Sequence, residues 1–170
     1  MMKDDHPIAK AVVPILQGIC HHRTVFEDAE HNGKFKLNVF ADSCDYPLLR
    51  GTKNETLLAT VALVTEAGRR LGIVAEYSLE CRGQERTYKQ FPFVEAEDFD
   101  NQEFVRLFEP LCKLVGIEPR GVYPFYSNGK LRVYVPIEPG QEVILHALNI
   151  LFFCWGYTNG RKISIKPDQR

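Results

Sequence analysis

Residues 102–117 read Gln-Glu-Phe-Val-Arg-Leu-Phe-Glu-Pro-Leu-Cys-Lys-Leu-Val-Gly-Ile, and residues 128–135 read Asn-Gly-Lys-Leu-Arg-Val-Tyr-Val. The first stretch places apolar residues at helical spacing and then stops at a glycine. The second is a hairpin-turn dipeptide followed by strict polar/apolar alternation, the pattern of a half-buried strand. Three other stretches carry the same order. Leu16-Gln17-Gly18-Ile19 is followed by Asn32-Gly33, and Arg70-Leu71-Gly72-Ile73 by Arg82-Gly83. Trp155-Gly156-Tyr157 runs almost directly into Asn159-Gly160. The expected architecture is therefore α+β, built from helix–hairpin (αββ) units at about 5–41, 52–94, 100–137 and 141–166 in one domain spanning 1–170. Stacked units of this kind predict about four helices on one face of an antiparallel sheet of about seven strands.

Local signals fill in the elements. Asp5 or His6 caps a first helix over Pro7–Gln17, with Pro7 in the first turn and Pro14 predicting a kink or a shortened helix. Residues 21–30 pair with 34–41 across Asn32-Gly33. Asp42–Arg50 reads as a loop. Thr52 and Glu55 stand at capping-box spacing ahead of a helix that Gly72 ends, and Asp100 with Glu103 repeats the spacing. A second hairpin joins 73–81 to 85–94, and a third joins 120–126 to 131–137. Pro110 kinks the third helix or begins a new turn. The fourth helix covers about 141–155, and 162–166 is the closing strand.

Composition narrows the function classes. The chain of 170 residues is 45% apolar and 25% charged with a net charge of −1, so no global field draws it to nucleic acid or membrane. No run approaches a membrane span, and Met1–His6 lacks a signal-peptide layout. The five cysteines are scattered and never spaced as C-x-x-C, which fits reduced thiols in a cytoplasmic protein.

Candidate catalytic groups are few. His21, His22 and His31 could meet across the first hairpin as a metal site or a histidine pair. Adjacent strand residues point to opposite faces, however, so the expectation is no metal and no cofactor. Cys44, in Asp42-Ser43-Cys44-Asp45, would need a histidine such as His21 or His146 as its base to serve a small hydrolase. Carboxylates on both sides oppose a thiolate, and the loop reads more simply as an Asx-type turn. Phosphate loops, dinucleotide fingerprints and hydrolase motifs are absent from the sequence. The balance is against an enzyme.

Two surfaces remain. Residues 143–155 form a helix apolar almost all round, broken by His146 and Asn149, and such a helix is buried on most sides. Cover by a partner makes His146, Asn149, Phe153, Trp155 and Tyr157 a protein-binding set. The leading expectation is a non-enzymatic adaptor, chaperone-like or regulatory protein, homodimeric, with a protein partner. The alternative is a binder of single-stranded nucleic acid. Alternation turns Lys34, Lys36, Arg86, Tyr88, Arg132, Tyr134 and Lys162 outward, and cations among tyrosines suit phosphates and bases.

Overall fold

The computed structural model describes residues 6–20, 24–83, 101–118, 123–127 and 129–168. Its order is α1 (Pro7–Ile19), β1 (Val25–His31), β2 (Lys34–Asp42), α2 (Tyr46–Arg50), α3 (Glu55–Leu71) and β3 (Val74–Arg82). Then follow α4 (Asn101–Leu114), β4 (Tyr123–Ser127), β5 (Lys130–Val135), α5 (Glu142–Thr158) and β6 (Lys162–Pro167). Among the described residues the fold is α+β with five helices, and in place of the expected single sheet there are two three-stranded sheets in the orders β1-β2-β3 and β4-β5-β6.

Each sheet is mixed. An antiparallel hairpin (β1 with β2, β4 with β5) is extended by a strand parallel to its second member (β3 to β2, β6 to β5). A parallel neighbour needs a crossover rather than a tight turn, and α3 and α5 supply those crossovers. The four αββ units are thus replaced by two stretches of helix–hairpin–helix–strand. Residues 85–94, expected as the partner of 73–81, lie outside the described residues, as do Arg86, Tyr88 and Asp100.

The glycines explain the misreading. Gly72 and Gly116 do end helices, at φ +77° and +81°. The α3 stop is completed by the amide of Ile73 donating to the Gly68 carbonyl (2.9 Å), and the α4 stop by Ile117 donating to Cys112 (2.9 Å). Gly18 and Gly156 instead lie inside α1 and α5. Gly160, at φ +72°, follows the C-cap Asn159 of α5, and the amide of Arg161 donates to the Gly156 carbonyl (2.7 Å). Gly68 and Gly156 have a second role: a methyl there would meet Ala75 Cβ at 2.5 Å or the Arg161 carbonyl at 2.7 Å. Bare backbone at these points lets each crossover helix lie against its own following strand.

α1 is continuous through Pro14, which faces solvent, so the Lys10 carbonyl deprived of its donor can take water. His6 caps the helix, its Nδ1 accepting from the Ile8 amide (3.2 Å) while the ring stacks on Phe35. Pro110 is likewise exposed within α4. Residues 46–50 form α2 rather than loop, with Pro47 in its first turn. The Glu55 carboxylate accepts from the amides of Thr52 (2.9 Å) and Lys53 (2.6 Å). Its own backbone amide first, then those of Lys53 and Thr52, hold the carboxyl below the usual carboxylate range.

The inward strand residues Phe35, Leu37, Val39, Leu131, Val133, Val135, Ile163 and Ile165 are all buried, as alternation required. Helices from both stretches meet over them. Phe104 and Phe108 of α4 pack edge-on against Phe152 of α5, which in turn meets Trp155. Burial of side chains this size contributes about 1.5–3 kcal/mol each before ordering costs.

Candidate functional site

α5 is wrapped by its neighbours on one side only. Leu145, Leu148, Leu151, Phe152 and Trp155 are buried. On the other side Val143 is 71% exposed, Phe153 54% and Tyr157 40%, with His146 exposed and Ile150 half-buried between them. Positions 143, 146, 150, 153 and 157 alternate steps of three and four, so they form one stripe along the helix. Glu142 is the single Asp, Glu, Lys or Arg in α5 and stands at its start.

Two members of the expected protein-binding set are therefore corrected. Trp155 is 2% exposed, lies over Gly18 where a methyl would collide with its indole, and belongs to the core. Asn149 is occupied within the fold: its Oδ1 accepts from the Ile165 amide (2.7 Å), closing a β6 backbone group that faces away from β5. His146, Phe153 and Tyr157 keep their outward places. Val143 and Ile150 were missed, because in a helix apolar on nearly every side composition does not reveal which stripe the core leaves open.

The outward faces of the two sheets differ. On β1-β2-β3, register puts Val25, Glu27, Ala29 and His31 beside Lys34, Lys36, Asn38, Phe40 and Asp42, and these beside Val74, Glu76, Ser78, Glu80 and Arg82. Charges of both signs are interleaved, and the groups engage one another. Lys34 pairs with Glu76 at 3.1 Å, Ser78 donates to Asn38 Oδ1 at 2.6 Å, and Arg82 lies over the Phe40 ring at 4.4 Å. Lys34 and Lys36 thus sit on a face of mixed charge.

On β4-β5-β6 the outward residues are Phe125; Lys130, Arg132 and Tyr134; Lys162, Ser164 and Lys166. No carboxylate occupies any of these positions, and Asp168 comes only after β6 ends. Phe125 is 58% exposed. Of the alternative nucleic-acid set, Arg132, Tyr134 and Lys162 share this second face, whereas Lys34 and Lys36 lie on the other sheet. Phe125 was missed, although its alternation with Tyr123 ahead of Asn128-Gly129 was available to be read.

The chemistry expected of the cysteines is limited by burial, which pushes the thiols of Cys20 and Cys154 up to about 12 and raises that of Cys112 still further. Neutral thiols are poor nucleophiles and poor metal ligands. Cys44 sits in the expected Asx-type turn, its amide donating to Asp42 Oδ1 (2.9 Å). The neighbouring Asp45 is fully buried and accepts from the Thr24 hydroxyl (2.8 Å). His21 and His22 lie outside the described residues, and His31 approaches Asn32 Nδ2 at 3.0 Å. No cluster of three metal-ligating side chains occurs among the described residues, where also no helix is long and apolar enough to cross a membrane. Compared with known proteins, the chain matches no family model, no curated protein and no solved structure.

Proposed function

We propose that this is a non-enzymatic protein-binding protein whose docking surface is the outward stripe of α5, and that its occupant is a second copy of the chain. The observation that carries the reading is the exposure of Val143, His146, Phe153 and Tyr157 on one side of a helix whose other side is fully packed. Apolar side chains aligned along a seam lose contact with water only when another surface covers them.

Self-pairing is favoured by the order of the stripe. Measured from Ile150, its members stand at −7, −4, +3 and +7, close to palindromic. An antiparallel copy related by a two-fold axis through Ile150 sets Val143 against Tyr157 and His146 near Phe153 at both ends. Glu142 lies outside this seam, so two copies bring no like charges together within it. A stripe one helix wide falls short of the roughly 800 Å² per partner of a standard interface, so the association is weak and concentration-dependent.

Light scattering over a concentration series tests the reading, with Ile150→Glu as the variant. The expected result is a mass rising toward the dimer for the native chain and a monomer for the variant, with native circular dichroism in both. A native chain that stays monomeric to its solubility limit overturns self-pairing. A variant that still dimerises removes α5 as the surface.

A further inference from the structure

The outward face of β4-β5-β6 is a second surface, separate from α5, and the geometry points to single-stranded nucleic acid as its ligand. Lys130, Arg132 and Lys166 on two adjacent strands, together with Lys162, form a continuous basic field at register positions holding no carboxylate. Neighbouring strands lie about 4.8 Å apart and successive outward residues about 6.6 Å apart, so the cations form a grid that a flexible phosphate chain can follow. Phe125 lies directly opposite Arg132, and Tyr134 is the next outward residue on the central strand. Rings on a flat, charged surface offer stacking platforms, which bases of a single strand can reach and bases inside a duplex cannot.

The sheet β1-β2-β3 serves as an internal control. It has the same pairing pattern and comparable exposure, yet its outward face mixes both signs, with Lys34 and Arg82 engaged by Glu76 and Phe40. Keeping such a sheet soluble therefore does not demand a face of one sign. An accumulation of cations beside the exposed Phe125 ring and the half-buried Tyr134 ring is what a polyanion bearing flat bases requires.

Fluorescence anisotropy with a labelled oligouridylate and a labelled oligothymidylate tests the inference at two salt concentrations, using the full chain. The expected result is binding that weakens with salt, with a slope of log K against log salt of about −2 for three neutralised phosphates. Arg132→Glu with Lys166→Glu should weaken binding at least tenfold. Phe125→Ala should weaken single-strand binding several-fold and leave binding of an equally long duplex unchanged. Lys34→Glu with Lys36→Glu, on the control sheet, should change nothing.

Failure of both oligonucleotides to bind at low salt overturns the inference. So does equal loss on reversing either pair of cations. Inorganic polyphosphate competing as well as the oligonucleotide, charge for charge, also overturns it, because the rings then have no part. None of these readouts depends on the state of association, and Ile150→Glu, which addresses α5, should retain binding by each protomer.

Discussion

Residues 7–82 and 101–167 are folded in the same order, and they present opposite surfaces to solvent. In the first stretch the crossover helix α3 follows exposed Leu58 along its outward side with Ala62, Thr65 and Arg69, and Glu66 binds both Arg69 and Arg70. Those arginines, Arg69 first, hold the Glu66 carboxyl below the usual carboxylate range. In the second stretch the corresponding helix, α5, carries Val143, Ile150, Phe153 and Tyr157 on that side. The sheets repeat the contrast, one face of mixed charge with its groups engaging one another, the other basic with the exposed Phe125 ring. The same strand pairing, then, carries mostly polar outward side chains in one half and apolar and basic ones in the other. The difference resides in outward side chains, which the core does not constrain.

The sharpest way to break this comparison is to confuse the two sides of α5. Trp155→Ala should destabilise the chain by about 3–5 kcal/mol, the usual cost of emptying a large aromatic site. Phe153→Ala, two residues away, should stay within about 0.5 kcal/mol when measured on the monomer by urea denaturation. Equal losses at the two positions would mean that the outward stripe is itself core.

Next in size are the glycines common to both halves. Gly68→Ala and Gly156→Ala should each cost about 1–3 kcal/mol, because the added methyl must displace a strand backbone or its side chain. If the framework is shared, both denaturation midpoints fall. A loss at Gly68 alone would show that α5 and β6 are held together differently.

Much of this framework was legible in the sequence. Alternation in Lys34–Val39 and Lys130–Val135 identified which strand residues are buried, since a period of two admits only one register against an apolar core. The antiparallel partners β1–β2 and β4–β5 were legible from their turns, and the parallel partners were not. Local pattern cannot distinguish a strand that returns in a hairpin from one that crosses over in parallel, so the parallel pairing of β3 with β2 and of β6 with β5 was not foreseen. Glycine was the other source of error. Gly72 needed its left-handed conformation to end α3, whereas Gly156 needed only its lack of a side chain, and one letter encodes both demands. The exposed stripe of α5 was legible at Phe153 and Tyr157, while Trp155 looks equally suited to a surface until Gly18 is seen beneath it.

A smaller effect concerns pH. Cys20 of the first half and Cys154 of the second are half-buried, and desolvation raises their thiol pKa values to about 12 from 9.0. The folded chain keeps these protons where the unfolded chain releases them, so their stabilisation is complete below pH 9 and is lost as pH rises toward 12. Thermal midpoints should therefore fall above pH 9, and Cys20→Ala with Cys154→Ala should flatten that fall. An unchanged slope would mean that other groups govern alkaline unfolding.

Smallest of all is the exposed Lys34–Glu76 pair. Lys34→Ala should change stability by less than about 1 kcal/mol, in keeping with exposed ion pairs, and the change should shrink in high salt. A larger, salt-independent loss would mean that the mixed-charge face is structural rather than merely solvated.

The most direct test of the account is sedimentation equilibrium on three chains: native, Phe153→Asp on the outward side of α5, and Thr65→Asp at the corresponding side of α3. The account predicts a reversible monomer–dimer equilibrium for the native chain and for Thr65→Asp. For Phe153→Asp it predicts a monomer with an unchanged unfolding midpoint. A native chain that is monomeric throughout, or a dimer that Phe153→Asp leaves intact, would contradict the claim that the second half carries the contact surface.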